Sequence, residues 1–388
     1  MPAELTIGVL RERGAGERRV ALVPEVIAKV PGTVVVESGA GDAAWFTDDD
    51  YRAAGAEIAA ADVVNERADV LLRVAPPDAE LAAQLPDGRA HAGLLRPLER
   101  PAEVAGWASR NLTTVCLDLL PRTLSRAQTM DALTSQASIA GYRAVVRAAD
   151  TFPGWFPMLM TAAGTVKPAE VLVLGTGVAG LQAIATARRL GARVAAYDIR
   201  PSSRDEVISL GARFVDLPGT DGIADGAGGG GYARELTAEE QQAQRAALDG
   251  WIGKADVVIT TAQVPGRKPP QLVSADAVAA MRPGSVVVDL ASSGYGGNVG
   301  VSQPDSTVVV DGVTVIGAGN LPSDMATAAS TAYARNMLAM LKLLVVDGAL
   351  RIDLTDDVQA GAKGGIVVTH GGAVTNPAVA ALLQEVSE

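Results

Sequence analysis

Two kinds of segment alternate along the chain. Short, nearly all-apolar runs rich in β-branched residues are separated by alanine-rich stretches with the spacing of helices. LTIGVL (5–10), TVVVES (33–38), DVLLRV (69–74), HAGLL (91–95) and TTVCLDL (113–119) make a first series. EVLVLG (170–175), ARVAAYD (192–198), ARFVD (212–216), ADVVITT (255–261), GSVVVDL (284–290) and VTVIGAG (313–319) make a second. Continuous rather than alternating apolar character is the pattern of parallel strands covered on both faces. The chain is therefore expected to be α/β, with two Rossmann-like domains on parallel sheets and a cleft between them. The second is expected to be a doubly wound dinucleotide-binding domain. Residues 125–150, whose first glycine is Gly141, predict one long helix at the domain boundary. Residues 325–344 predict another that returns the chain to the first domain. The expected division is 1–130 plus 325–388 for a discontinuous first domain and 131–324 for the second.

Composition narrows the class. A chain of 388 residues suits two domains, and 48% hydrophobic residues supply ample core. A net charge of −11 argues against a nucleic-acid groove, which needs clustered Lys and Arg. The one cysteine, Cys116, excludes an internal disulfide framework and, within TTVCLDL, reads as inert core. No run reaches the ~18 apolar residues of a spanning helix. The longest candidate, MLAMLKLLVV (337–346), contains Lys342. The opening MPAELTIGVLRERG carries charges where a signal peptide needs an apolar core. The expectation is a soluble, cytoplasmic chain that can still dock on a membrane protein.

The strongest local motif is VLVLGTGVAGLQAIATARRLGARVAAYDIR. Gly175, Gly177 and Gly180 form G-x-G-x-x-G, enclosing Thr176 and Val178, between a strand and a helix. Asp198 ends the next strand 18 residues after Gly180, followed by Ile199 and Arg200. Gly175 permits the tight turn, Gly177 lets a pyrophosphate approach the backbone, and Gly180 lets helix and strand pack closely. The helix N-terminus offers N–H groups and partial positive charge to phosphates. Asp198 is placed to accept hydrogen bonds from ribose hydroxyls, favouring NAD over NADP, although Arg200 is a group able to accept a 2′-phosphate. The loop TTAQVPGRKPP (260–270), with Gln263, Val264 and Pro265, follows the next strand and is expected to wall the cofactor. The turns at 289–294 and 317–324 have the same placement. The glycine-rich stretch 221–235 reads as either a slack linker or a lid.

The chemistry follows from what that cofactor needs. A dehydrogenase acting on an alcohol or amine needs an acid/base group. Only His91 and His370 are histidines, and a lone histidine is more often structural. Metal-ligand spacing and a GxSxG elbow are absent from the sequence. Hydride transfer between two nicotinamides moves no proton at either carbon and needs only ring positioning and exclusion of water.

IGVLRERGAGERRVALVP, PRTLSRAQTMDALTSQASIAGYRAV, GTGVAGLQAIATARRLGA and YARE together resemble the NAD(H)-binding component, domain I or alpha-1, of the proton-translocating NAD(P) transhydrogenases. The opening is shared with alanine dehydrogenases. The resemblance implies a peripheral cytoplasmic homodimer that binds NAD(H), held at the inner face of the cell membrane by partner subunits. Its partners would be an NADP(H)-binding domain III of a beta subunit and a membrane domain II from alpha-2 and beta subunits. It implies direct hydride transfer from NADH to NADP+ held by that partner, of the Si/Re-specific kind, coupled to proton translocation. Gln128 and Asp131 match the family's Gln-x-x-Asp pair, and i, i+3 spacing would put both on one helix face. The family's Arg maps to Arg122, with Arg126 as the alternative. Asp and Arg would hold the nicotinamide and phosphates, and Gln would reach toward the partner's nucleotide. Thr134 and Tyr142 lie where family residues line the nicotinamide pocket. The glycine-rich stretch matches a mobile loop closing over NAD(H), with Gly231 and Tyr232 at the nucleotide.

An alanine-dehydrogenase-like enzyme is the rival reading. Its substrate-binding Lys and His are not matched: LLRVAPP (71–77) holds Arg73, and GLLRPLERP (93–101) has no His. Arg13 and Arg19 would grip a substrate carboxylate in such an enzyme. A non-enzymatic NAD-sensing module is a third.

Overall fold

The computed structural model describes residues 5–77, 79–217, 237–263, 266–361 and 364–387. Contacts divide it into two units, Met1–Gln136 with Pro322–Glu388, and Ala137–Leu321.

Unit 1 is built on strands β1 (Thr6–Val9), β2 (Thr33–Glu37), β3 (Glu57–Ala59), β4 (Val70–Leu72), β5 (Ala90–Gly93) and β6 (Thr113–Cys116). Unit 2 holds β7 (Leu159–Thr161), β8 (Gly164–Val166), β9 (Glu170–Leu174), β10 (Arg193–Tyr197), β11 (Arg213–Phe214), β12 (Val257–Thr260), β13 (Val286–Asp289), β14 (Thr307–Val310) and β15 (Val313–Gly317). The chain then adds β16 (Val345–Val346), β17 (Ala349–Leu350), β18 (Val367–His370) and β19 (Ala373–Val374) to unit 1.

The first sheet runs β19-β18-β6-β5-β4-β1-β2-β3, parallel from β6 to β3, with β18 antiparallel to β6 and β19 antiparallel to β18. The second runs β11-β10-β9-β12-β13-β15-β14 and is parallel except for β14. In each, strand order reverses beside the first strand, which is the doubly wound arrangement. Apolar runs face both ways, as parallel sheets require. Val171 and Val173 of β9 join one core layer, while Leu172 and Leu174 join the layer on the opposite face. Val34 and Val36 of β2 likewise oppose Val35.

Four local expectations are corrected. The predicted strand 113–119 stops at Cys116, and Leu117–Leu119 is a 3-10 turn. The run 212–216 yields a strand of two residues only. The predicted helix 125–150 is two elements, a 3-10 segment Ser125–Met130 and an α-helix Ala132–Thr151. They are parted by Asp131, at φ −72° and ψ 81°. Strands β3, β7, β8, β14 and β16–β19 lie outside the apolar runs: they are short, at sheet edges or in separate hairpins.

β7 and β8 form an isolated antiparallel hairpin, with Leu159 opposite Val166 and Met160 opposite Thr165. Both strands are exposed throughout, and Met160 retains 71% of its accessible surface. No helix among the described residues is long and apolar enough to cross a membrane.

Candidate functional site

In unit 2 the candidate site is the turn from β9 into helix Val178–Arg189. Gly175 has φ +95°, a backbone that favours glycine, and a Cβ there would stand 2.7 Å from Thr261 Oγ1. Gly180 is packed under the turn, where a Cβ would fall 1.9 Å from the Gly175 carbonyl oxygen. Gly177 is different: it is the helix N-cap residue, and a Cβ there meets nothing within 4 Å. The turn is therefore closed on its protein side and open at Gly177, in front of the helix N-terminus at Val178. That is the cradle a pyrophosphate needs.

Asp198 follows β10 and is almost fully buried, at 8% exposure. Its Oδ2 accepts from the Thr176 N–H at 2.7 Å and Thr176 Oγ1 at 3.0 Å. Its Oδ1 accepts from the Arg200 N–H at 2.9 Å and Nε at 3.0 Å, and Arg200 Nη2 reaches Oδ2 at 3.2 Å. Burial pushes this carboxyl up, but the hydrogen bonds and charge of Arg200, with the Thr176 N–H, outweigh it and hold it below the ordinary carboxylate value. Arg200 thus pairs with the acid next to it. Ile199 lies between them, half-buried.

Gln263, at the end of the described stretch of its loop, donates to the Leu290 carbonyl at 2.8 Å. Val264, Pro265, Gly231, Tyr232 and the stretch 221–235 lie outside the described residues. Tyr142 is exposed on helix Ala132–Thr151, one residue after Gly141. Sequence reasoning missed the role of Gly141: a Cβ there would fall 2.0 Å from the Ala179 carbonyl, so this glycine brings that helix close against helix Val178–Arg189.

In unit 1, Asp131, Arg122 and Thr134 come together. Asp131 Oδ1 accepts the Thr134 N–H at 2.9 Å and Oδ2 the Thr134 hydroxyl at 2.7 Å, the capping pattern at a helix start. Arg122 Nε donates to Asp131 Oδ2 at 2.9 Å, and its Nη2 to Thr134 Oγ1 at 2.6 Å. Gln128 is exposed on the preceding 3-10 segment, and its carbonyl accepts the Asp131 N–H at 3.2 Å. Gln128 and Asp131 are therefore not on one α-helix: Gln128 lies on the 3-10 segment, and Asp131 ends that segment and caps the next helix. Arg126 points to a different acid, Asp356, at 2.8 Å.

The remaining candidates are bound internally. Arg19 is buried against Glu17, with Nη2–Oε2 at 2.6 Å and Nε–Oε1 at 2.8 Å, and reaches Gln136 at 2.9 Å. Arg13 pairs with Glu37 at 2.6 Å. Arg73 is 1% exposed. His91 is held by Thr114 Oγ1 at 2.7 Å beside the Trp107 ring. Burial, then Arg73 and Arg110, push its pKa down to about 3, so it is neutral at physiological pH. His370 Nδ1 bonds Thr113 Oγ1 at 3.0 Å. Cys116 is buried, and burial pushes its thiol up.

Residues 8–140 match the family model described as "Alanine dehydrogenase/PNT, N-terminal domain", and 144–377 the corresponding C-terminal domain. An NAD(P) transhydrogenase alpha subunit of Rhodospirillum rubrum is 42% identical over 387 residues, covering 97% of this chain and 99% of its own. The chain belongs to the transhydrogenase alpha-subunit branch of the alanine dehydrogenase/PNT family. This family member's fold also matches the crystal structure of transhydrogenase from Sinorhizobium meliloti, with TM-score 0.84, 39% identity, and 95% and 99% of the two chains covered. A solved L-alanine dehydrogenase matches at TM-score 0.76 and 26% identity over 98% of this chain and 99% of that one.

Proposed function

We propose that the chain is the NAD(H)-binding component of a proton-translocating transhydrogenase, passing hydride from NADH directly to NADP+ held by a partner. The observation that carries the reading is likeness to a transhydrogenase alpha subunit along the whole chain, extending through both the glycine turn and the Arg122–Asp131 segment. Asp198 and Thr176 bind and orient the adenosine end, and the open face at Gly177 admits the pyrophosphate. The Asp198–Arg200 pair selects NAD(H), since a 2′-phosphate would meet the Asp198 charge while Arg200 is already engaged. Arg122, oriented by Asp131 and Thr134, and Gln128, exposed to a partner, serve the nicotinamide end. Bound NADH supplies the hydride from its nicotinamide ring. The chain's own residues position that ring and exclude water, and none acts as acid or base.

Partner chains would be the NADP(H)-binding domain III of a beta subunit and the membrane domain II of alpha-2 and beta subunits, which couples transfer to proton flow. The chain itself would then sit peripherally on the membrane. A homodimer fits the exposed apolar hairpin β7–β8, because an isolated two-stranded hairpin with free edges gains stability by pairing.

The L-alanine dehydrogenase match favours an amino-acid dehydrogenase as second reading. Against it, Arg13 and Arg19 are already neutralised by Glu37 and Glu17. Mixing the chain with a purified NADP-binding domain and following NADH-dependent reduction of NADP+ separates the two. NADPH formation supports the proposal; NAD+ reduction by L-alanine, without such formation, replaces it.

A further inference from the structure

Two fully buried polar residues of unit 2 have no role in the reading above: Asp289 and Asn298. Asp289 ends β13. Its Oδ1 accepts from Thr260 Oγ1 at 2.9 Å, the Ala291 N–H at 3.0 Å and the Asn298 N–H at 3.3 Å. Its Oδ2 accepts the Val299 N–H at 3.1 Å. The chain passes so close that a Cβ on Gly297 would fall 2.3 Å from Oδ2. One carboxylate thus folds the segment after β13 back onto the ends of β12 and β13.

Asn298, seated there, faces the loop after β12. Its Oδ1 accepts the Ala262 N–H at 3.0 Å, and its Nδ2 donates to the Ala262 carbonyl at 2.9 Å and the Pro270 carbonyl at 2.7 Å. The side-chain amide grips the Ala262 peptide through both donor and acceptor, as a neighbouring strand would. Thr261 carries the tether onward: its hydroxyl donates to the Gly175 carbonyl at 3.0 Å, in the glycine turn itself. Gln263 closes the set on Leu290. Asp289 bonds Asn298, Asn298 bonds Ala262, and Thr261, joined to Ala262 through the chain, bonds Gly175.

From this geometry we infer that Asn298, set by Asp289, is a positioning residue for the nicotinamide half of the bound dinucleotide. The inference rests on the dinucleotide reading of the glycine turn and extends it. In a doubly wound sheet the adenosine half lies over the strand that carries the ribose-binding acid, here β10. The other half lies across the point where strand order reverses, here between β9 and β12. The loop gripped by Asn298 is on that second side. Asn298 holds its peptides in place before the ligand arrives, so the ligand does not bear the ordering cost.

The test compares NADH and ADP, which carries only the adenosine half, by calorimetry on the full chain. Asn298→Ala is expected to raise the Kd for NADH about tenfold and that for ADP less than twofold, the scale of one lost hydrogen bond in affinity. Hydrogen exchange without ligand is expected to speed up at 261–263 and to stay unchanged in β10. Asn298→Ser, which keeps a small polar side chain but cannot span the Ala262 N–H, the Ala262 carbonyl and the Pro270 carbonyl together, is expected to give the same split, which covers a failure of Asn298→Ala to fold. Val313→Ala, in the core at the far end of β15, controls for lost stability and is expected to leave both affinities unchanged. The inference is overturned if NADH and ADP weaken equally, if neither weakens, or if Val313→Ala reproduces the split. Wild-type chain that binds neither ligand overturns the dinucleotide reading itself, and this inference with it.

Discussion

Asp198→Asn separates the two jobs given to the acid at the end of β10. The substitution keeps the shape and one acceptor, which can stay on the Thr176 N–H, but removes the charge. Hydrogen bonds to a charged group contribute about 1.5–3 kcal/mol each. With one neutral acceptor retained, NADH affinity should fall about tenfold. The effect on NADPH runs the other way. A 2′-phosphate about 5 Å from the carboxylate, at an effective dielectric constant near 20, is repelled by roughly 3 kcal/mol. The substitution removes that repulsion and releases Arg200, which now spends both Nε and Nη2 on Asp198. Discounting for solvent at the mouth of the site, the preference for NADH over NADPH should drop by at least about 100-fold, or about 2.7 kcal/mol. Calorimetric titration with both nucleotides reads this ratio directly, and the unfolding midpoint shows whether the variant is folded. Equal weakening of both nucleotides, or an unchanged ratio, would refute the assignment of Asp198 and Arg200.

Three further outcomes follow from the geometry, and a fourth from a buried carboxyl. Gly177→Ala should cost stability about 1 kcal/mol, the preference for glycine over alanine at an N-cap, with no clash because nothing lies within 4 Å of the new Cβ, yet lower NADH affinity more than about tenfold. Gly180→Ala drives a Cβ into the Gly175 carbonyl at 1.9 Å and should cost about 3 kcal/mol, seen as a midpoint lowered by roughly 6–12 °C. Asp131→Asn keeps an acceptor for the Thr134 N–H but loses the charge pair with Arg122; NADH binding should stay within a few-fold while turnover with the partner drops at least about tenfold, and unchanged turnover would remove Asp131 from the mechanism. Burial lifts the Glu12 carboxyl to about 7 from 4.5, with Arg73 pulling back, so between those values the native state holds a proton that the unfolded chain has released. Stability is therefore lost as pH rises through that window, by at most about 3 kcal/mol, and Glu12→Gln should flatten the difference in midpoint between about pH 5 and pH 8.

Much of this was legible in the sequence, for a physical reason. Strands buried on both faces are nearly all apolar, so β1, β2, β4, β9, β12, β13 and β15 announce themselves. The glycine turn is legible because three positions each demand the smallest residue. Other features depend on tertiary contacts that leave no local trace. Asp131 looks like a helical residue by spacing, and only its bonds to Thr134 and Arg122 turn it into a cap. Arg122 and Arg126 are equivalent on paper, and the fold sends them to different carboxylates, Asp131 and Asp356. Arg200, read as a possible phosphate ligand, is committed to Asp198. Asn298 sits in a run of glycines and serines with no periodicity, and its grip on Ala262 exists only because β12 and β13 are neighbours.

Deuterium at the transferable C4 position of NADH tests whether hydride moves ring to ring with no acid or base from this chain. The labelled cofactor is mixed with the chain, an NADP-binding partner domain and NADP+, and the NADPH formed is analysed by mass spectrometry. Full retention of deuterium in NADPH is the predicted result. Deuterium appearing in water, or no NADPH while L-alanine reduces NAD+, would contradict the account.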